Sequence, residues 1–285
     1  MVSLISGIGV CWFSLLVFST SDLVVMWLFL ELGGLCLIPA FFWGHPRSLY
    51  ALFSFIVASS LASSLLVCGI LYVSYVSLFL VGFMIKFGFF PFSGWVYGVC
   101  TESNWLVVYL FTIVVKSSFL VLSFFFNGFS GAGLVSGFAC LTLLLLSVLF
   151  WVYTFSWFHC WCHMMLSSSV ILVSAALEGP LEVLLFLYFV YFVWGSFTVL
   201  FLSRQGTSMV LDGLGGFFLY CFLLLSVPFS VSVFYKLMMG VCIYSCSLLV
   251  FCFWCFYSLS EQFFLFKYVV SGNVPKCLVG YLSHV

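Results

Sequence analysis

Charge is what this chain lacks most. Of its 285 residues only 5% are charged, seven basic and seven acidic, where a soluble domain carries about a quarter. So few charges cannot clothe a water-facing surface. This excludes a soluble globular protein and leaves lipid as the solvent for most of the surface. The formal charges cancel and no basic run or stripe occurs, so no electrostatic footprint for nucleic acid exists. Asn, Gln and His are scarce as well, and no loop is large enough to fold as a soluble domain. Alternation of apolar and polar residues, the mark of a membrane β-barrel, is missing. No basic start precedes an apolar stretch and a cleavage site, so no signal peptide is expected. No Asn-x-Ser/Thr acceptor occurs, and no Ser/His/Asp or nucleophilic-cysteine arrangement stands out. Gly7-Ile-Gly9 and Gly213 to Gly216 follow no strand and are not nucleotide loops.

What is abundant is apolar. Hydrophobic residues make up 66% of the chain, with 39 Phe, 14 Tyr, 13 Cys and 10 Trp. Phe, Leu, Val, Cys, Gly and Trp have T- and G-rich codons, while His, Gln and Pro need C. The composition therefore reads as the bias of a T- and G-rich, C-poor genome, such as a small organelle genome. Most cysteines lie in apolar runs, at Cys11, Cys36, Cys68, Cys140 and Cys252 for example, with no disulfide framework in their spacing. They are expected to pack as small hydrophobes.

An all-α polytopic membrane protein is the expected fold class, forming a single transmembrane domain over 1–285. A helical crossing of about 30 Å of hydrocarbon takes about 20 apolar residues, and lipid requires every backbone group to be bonded internally. The spans expected are 2–20, 23–43, 49–73, 75–99, 104–126, 132–154, 164–179, 181–203, 213–235 and 238–258, with 261–285 at best a degraded eleventh. The halves divide roughly as 1–126 and 132–258, leaving 259–285 as a C-terminal segment. Arg47, Arg204, Lys267 and Lys276 all fall on the side of the N-terminus under this count, which the positive-inside tendency assigns to the cytoplasm or an organelle matrix.

Four ionisable residues lie well inside apolar runs: Glu31, Lys86, Lys116 and Lys236. Lys86 and Lys116 sit near the centres of their spans, where a lysine costs roughly 2.5–3.5 kcal/mol to insert. Snorkelling to the headgroups is the bland alternative, but from mid-span the stem reaches them poorly. Burial disfavours an ammonium and a nearby carboxylate favours it, so a lysine whose acid can approach or withdraw is a switchable proton carrier. Glu31 is the natural acid. Lys236 lies in the middle of the apolar stretch 213–260 and could equally mark a hairpin turn.

Two prolines lie in the apolar runs that also hold a lysine. Pro91 follows Lys86, and Pro228 precedes Lys236; each opens the same tripeptide, Pro91-Phe92-Ser93 and Pro228-Phe229-Ser230. Proline breaks or kinks a helix. Corresponding broken helices in two halves point to a transporter built from repeats, although a chance recurrence of Pro, Phe and Ser would read the same.

On these residues the chain resembles the chain 2 family of mitochondrial NADH–ubiquinone oxidoreductase, antiporter-like membrane subunits of respiratory complex I, over most of residues 20–260. Lys86-Phe-Gly-Phe-Phe-Pro91-Phe92-Ser-Gly-Trp95 is similar to the family's Lys-x-Gly-x-x-Pro-Phe-His-x-Trp. Trp27-Leu-Phe-Leu-Glu31 to Pro39 is similar to its glutamate helix, and Pro228 to Lys236 to its second broken helix. The resemblance implies two inverted five-helix units, each with a discontinuous helix. It implies Glu31 and Lys86 as a modulating ion pair, Lys116 as the central membrane lysine and Lys236 as the lysine near the exit. It further implies proton translocation coupled to electron transfer from NADH to ubiquinone, and a multi-pass place in the mitochondrial inner membrane. Other complex I membrane subunits, lipid, protons and channel water would be its partners. No cofactor is expected on this subunit, because flavin, iron–sulfur clusters and quinone lie elsewhere in the complex. By the same resemblance the short length would be that of the metazoan form, which lacks three leading helices of bacterial relatives. The chain departs from the family at Ser93, where a histidine is usual, and in the span 164–179, which carries none. Water, or Ser117, Ser118 or Ser168, would then bridge the lysines.

His159-Cys160-Trp161-Cys162-His163 has metal-ligand residue types, but zinc sites use two separated pairs. It is read as a connection at the membrane surface. Glu178 and Glu182 are expected to face water, and Asp22, Glu102, Asp212 and Glu261 to flank spans. Two other readings stay open. A sister antiporter-like subunit, chain 4 or chain 5, is disfavoured because chain 4 tends to a glutamate at the position of Lys236 and chain 5 is much longer. A non-pumping multi-span receptor predicts seven spans, larger loops and no mid-membrane lysine.

Overall fold

The computed structural model describes residues 2–42, 48–72, 76–118, 120, 132–205 and 213–273. Helix dominates, and no strand occurs among the described residues. In chain order the helices are α1 (Val2–Val17), α2 (Leu23–Phe41), α3 (Ser48–Leu71), α4 (Val76–Phe87), α5 (Gly94–Glu102) and α6 (Trp105–Tyr109). A π turn, Leu110–Val114, and a 3₁₀ turn, Val115–Ser117, extend α6. Then follow α7 (Ala132–Val152), α8 (Trp157–Glu178), α9 (Leu181–Arg204), α10 (Gly213–Leu223), α11 (Val231–Cys246) and α12 (Leu248–Asn273). The expected connections at Gly44 to Arg47 and Asn127 to Gly131, together with Asp212, Pro275 and Lys276, lie outside the described residues.

Six of these helices, α2, α3, α7, α8, α9 and α12, are long and apolar enough to cross a bilayer. The outer surface of the bundle is apolar: Trp12, Phe53, Phe189 and Leu237 are all well exposed, an arrangement suited to lipid and not to water. Polarity lies inside instead. Helix α8 is buried from Cys160 to Leu177 and packs against α5, α7, α9 and α11. It carries His163, Ser167, Ser168, Ser169 and Ser174 into the interior.

The segments holding Pro91 and Pro228 are broken as expected, whereas α2 carries Pro39 close to its end and runs on unbroken to Phe41. Helices α4 and α5 have 12 and 9 residues, and α10 and α11 have 11 and 16; at about 1.5 Å per residue none spans the hydrocarbon alone. The first break, at Gly88 to Ser93, contains Gly88 at φ +73°, and the second contains Phe229 at φ +68°. Broken backbone at membrane depth survives only if its polar groups are bonded. At the first break Trp95 Nε1 donates to the Ile85 carbonyl (2.9 Å), and the Phe90 N–H donates to Thr142 Oγ1 (3.1 Å). At the second, Trp194 Nε1 donates to the Leu223 carbonyl (2.8 Å), Ser232 Oγ to the Leu224 carbonyl (3.2 Å), and the Ser226 N–H to Gln262 Oε1 (2.8 Å). A tryptophan thus caps each half-helix. The Trp194→Phe variant leaves the Leu223 carbonyl without that donor and is expected to lower stability by about 1–3 kcal/mol, read as an earlier thermal unfolding of the chain in its native membrane complex.

Three expectations about limits need correction. Helix α8 starts at Trp157, not at 164, so the 159–163 segment forms its first turns rather than a surface connection; Cys160, Trp161, Cys162 and His163 are fully buried. The stretch 213–258 is not split into spans near residue 237. It divides at Leu224 to Ser230 and again at Ser247, because Pro228 removes a backbone donor and Ser247 adopts extended backbone at φ −146°. Finally, 261–273 is no separate degraded span but the second half of α12. Lys236 therefore lies inside α11, away from either break, and marks no hairpin.

Candidate functional site

Glu31 rises from the middle of α2, beside the seam of Met26, Leu30, Gly33 and Leu37 that the helix buries. Lys86 is the penultimate residue of α4, just before the chain turns at Gly88. The two meet: Lys86 Nζ lies 2.5 Å from Glu31 Oε1, with the side chains 11% and 25% exposed. Sequence spacing could not establish this contact, since α2 and α4 are brought together only by the fold.

Among the described residues Lys116 is the most deeply placed cation, at 2% exposure. Its ammonium donates to the Met165 carbonyl (2.5 Å), Ser168 Oγ (2.8 Å) and Tyr191 OH (3.1 Å). Three donors meet three neutral acceptors. The ammonium also lies 4.8 Å from the Tyr191 ring centre, within cation–π range. The local helix is irregular for a reason. The π turn before Lys116 loosens carbonyls that two tyrosines then collect, Tyr191 OH donating to Thr112 O (2.8 Å) and Tyr188 OH to Ile113 O (2.9 Å). Such single π turns recur at functional sites.

A cavity of about 30 Å³ joins the first two lysines. Lys86 and Lys116 both line it, with Leu30, Phe55, Trp95 and Ser169 among its walls. It has room for a water molecule or two. Of the serines considered as bridges, Ser168 touches Lys116 directly. Ser117 and Ser118 instead face a separate cavity with Ser14.

His163 is the histidine that the expected span 164–179 left out. It is fully buried in α8, one turn ahead of Ser167; its Nδ1 hydrogen-bonds with Tyr97 OH at 2.6 Å, and its Nε2 is buried without a hydrogen-bond partner. His159 turns elsewhere, to Ser156 Oγ at 2.8 Å. The residue types of a metal site are thus distributed around a helix, and no group of three or more His, Cys, Asp or Glu side chains gathers among the described residues. Glu178 and Glu182 end up exposed, at the junction of α8 and α9.

The third lysine supplies the main surprise. Lys236 Nζ lies 2.8 Å from Glu261 Oε1, with the side chains 13% and 5% exposed. Glu261 does not flank a span; it lies in the middle of α12. The signal was available, for no proline or glycine interrupts the chain between Leu248 and Ser271, but a span closed at 258 hid it. The four expected residues thus form one touching pair, one lysine sharing its cavity, and one lysine with an unforeseen partner. Pro91 and Pro228 both lie in breaks.

No family model matches the sequence, and no curated protein matches it. Solved structures do match. A chain of "Respiratory complex I from Thermus thermophilus with bound Aureothin" superposes with a TM-score of 0.74 at 17% identity, covering 90% of this chain and 67% of that chain. At that identity what the two share is the fold: this chain is folded like one chain of that assembly.

Proposed function

We propose that this protein is a proton-carrying, antiporter-like membrane subunit of respiratory complex I, of the chain 2 type. It would be built as ten passes in two inverted halves and seated in the mitochondrial inner membrane beside other subunits of the complex. The observation that carries the reading is a set of basic groups drawn into the helices, Lys116 fully buried and Lys86 and Lys236 nearly so: Lys86 on Glu31, Lys116 across a shared cavity, and Lys236 beyond the hydroxyl-lined α8. Charged groups this deep are expensive in a bilayer and mark ion paths. The fold shared with a chain of a bacterial complex I adds weight.

In this reading a shift of charge along the complex pulls on Glu31 and loosens its hold on Lys86. The field at Lys116, a few side chains away across the cavity, changes in turn. Lys116 takes or gives up a proton through water in that cavity, and Ser168, Tyr191 and His163 carry it towards Lys236. No cofactor is held by this subunit; NADH, flavin, iron–sulfur clusters and ubiquinone act elsewhere in the assembly. A lysine at Lys236 favours chain 2 over chain 4, and the length disfavours chain 5. A receptor has no use for three buried lysines.

Solubilised membranes resolved by native electrophoresis test the assignment. The chain is expected in the band that oxidises NADH; a band of its own, free of that activity, overturns the reading.

A further inference from the structure

We propose that Glu261 is a second positioning acid, so that this chain carries two lysine–glutamate pairs, one at each broken helix, with Lys116 between them. The inference rests on the proton-path reading above and extends it to a residue which that reading leaves without a role.

Three observations converge on Glu261. It is 4% exposed, and its carboxylate touches Lys236 at 2.8 Å. A buried acid in a membrane helix is retained only where it has a charged partner or a task. Next, α12 is tied to the second break through the adjacent residue: Gln262 accepts from the Ser226 N–H (2.8 Å) and donates to the Leu224 carbonyl (3.4 Å). Glu261 is thereby held in register with the break, as Lys86 is held by its place just before Gly88. The two pairs sit on opposite sides of their breaks, since Lys86 precedes Gly88 and Lys236 follows Ser230.

The third observation concerns space. A cavity of about 20 Å³ lies against the pair, lined by Ser167, Tyr257, Lys236 and Glu261. It is large enough for one water. Tyr257 OH donates to the His163 carbonyl at 3.3 Å, so the cavity abuts the part of α8 that leads back towards Lys116. A proton arriving on that water would meet an ammonium at ion-pair distance from a carboxylate, with no aligned hydrogen bond of its own. Transfer requires the pair to part: Lys236 releases its proton outward when Glu261 lets go and is reprotonated from the cavity water as the pair re-forms. Glu261 keeps its charge throughout and acts through Lys236.

The test uses the assembled complex in sealed vesicles, with proton uptake and NADH oxidation measured together. Glu261→Gln is expected to lower proton uptake per assembled complex at least about fivefold, the lower end of coupling between linked sites. Glu261→Asp keeps the charge but withdraws it by a methylene; it is expected to fall between Gln and the native chain, at least about twofold down, since displacements of about 1 Å impair transfer. A residue that only packs would show no such order per assembled complex. Native uptake in either variant overturns the proposal, and should Glu261→Gln fail to assemble, Glu261→Asp alone decides. Lys116→Met is run alongside. If it also pumps normally, the proton-path reading itself falls; if it stops pumping while both Glu261 variants pump at the native rate, only the role of Glu261 falls.

Discussion

Replacing Lys116 by Ala or Met is expected to reduce coupled NADH oxidation and proton pumping by at least tenfold, towards the roughly 10²–10⁴-fold that a positioned proton-transfer group contributes. The complex should still assemble, because the groups around Lys116 remain bonded without it. Ser168 Oγ donates to the Met165 carbonyl at 2.7 Å, and Tyr191 OH to the Thr112 carbonyl at 2.8 Å. Methionine fills most of the lysine's volume and removes an insertion cost of roughly 2.5–3.5 kcal/mol. Arginine separates charge from proton transfer. Its guanidinium keeps the positive charge but does not deprotonate, so Lys116→Arg should fail as Met does. Lys86→Ala should impair coupling as well. Full pumping in assembled Lys116→Met or Lys116→Arg complexes would remove Lys116 from the path.

The second large effect is expected at Gly88. Its φ of +73° lies in the left-handed region, and an added Cβ would sit 2.4 Å from Val96 Cγ2 and 3.1 Å from Leu166 Cδ2. A side chain there costs about 1–2 kcal/mol in backbone strain and about 1–3 kcal/mol in overpacking. Val96 is β-branched and fully buried, so it cannot swing aside. Gly88→Ala should therefore displace the first break, and with it the Lys86 ammonium two residues earlier. The expected outcome is a lower thermal midpoint together with weakened pumping in whatever assembles. A variant as stable as the native chain would mean that the turn tolerates a side chain. Gly94 makes a suitable control, since nothing lies within 4 Å of an added Cβ there.

Much of this could be read from the chain alone. A charge content of 5% with long apolar runs leaves no solvent but lipid, and without the alternation of a barrel lipid leaves the backbone helix. Pro91 and Pro228 locate both breaks, for a missing N–H acts locally and needs no partner. Glu31, Lys86 and Lys116 stand out because charge at mid-span is costly whatever surrounds it. Other features stayed hidden. His163 and Glu261 lie towards one end of an expected span or just past it, where a few residues of error turn a buried group into an apparent flank. In uniformly apolar sequence nothing local marks such an edge: the start of α8 at Trp157 and the join at Ser247 are set by what packs against them.

Composition and proline placement, then, determined that this is a broken-helix membrane bundle with basic groups inside it. Those are consequences of solvation and backbone chemistry, which act residue by residue. Only the tertiary structure decided which charge meets which: Glu31 with Lys86, Glu261 with Lys236, and Lys116 with a carbonyl, a serine and a tyrosine. Each of these contacts joins different helical segments, and their pairing depends on how whole helices pack, which no local pattern encodes.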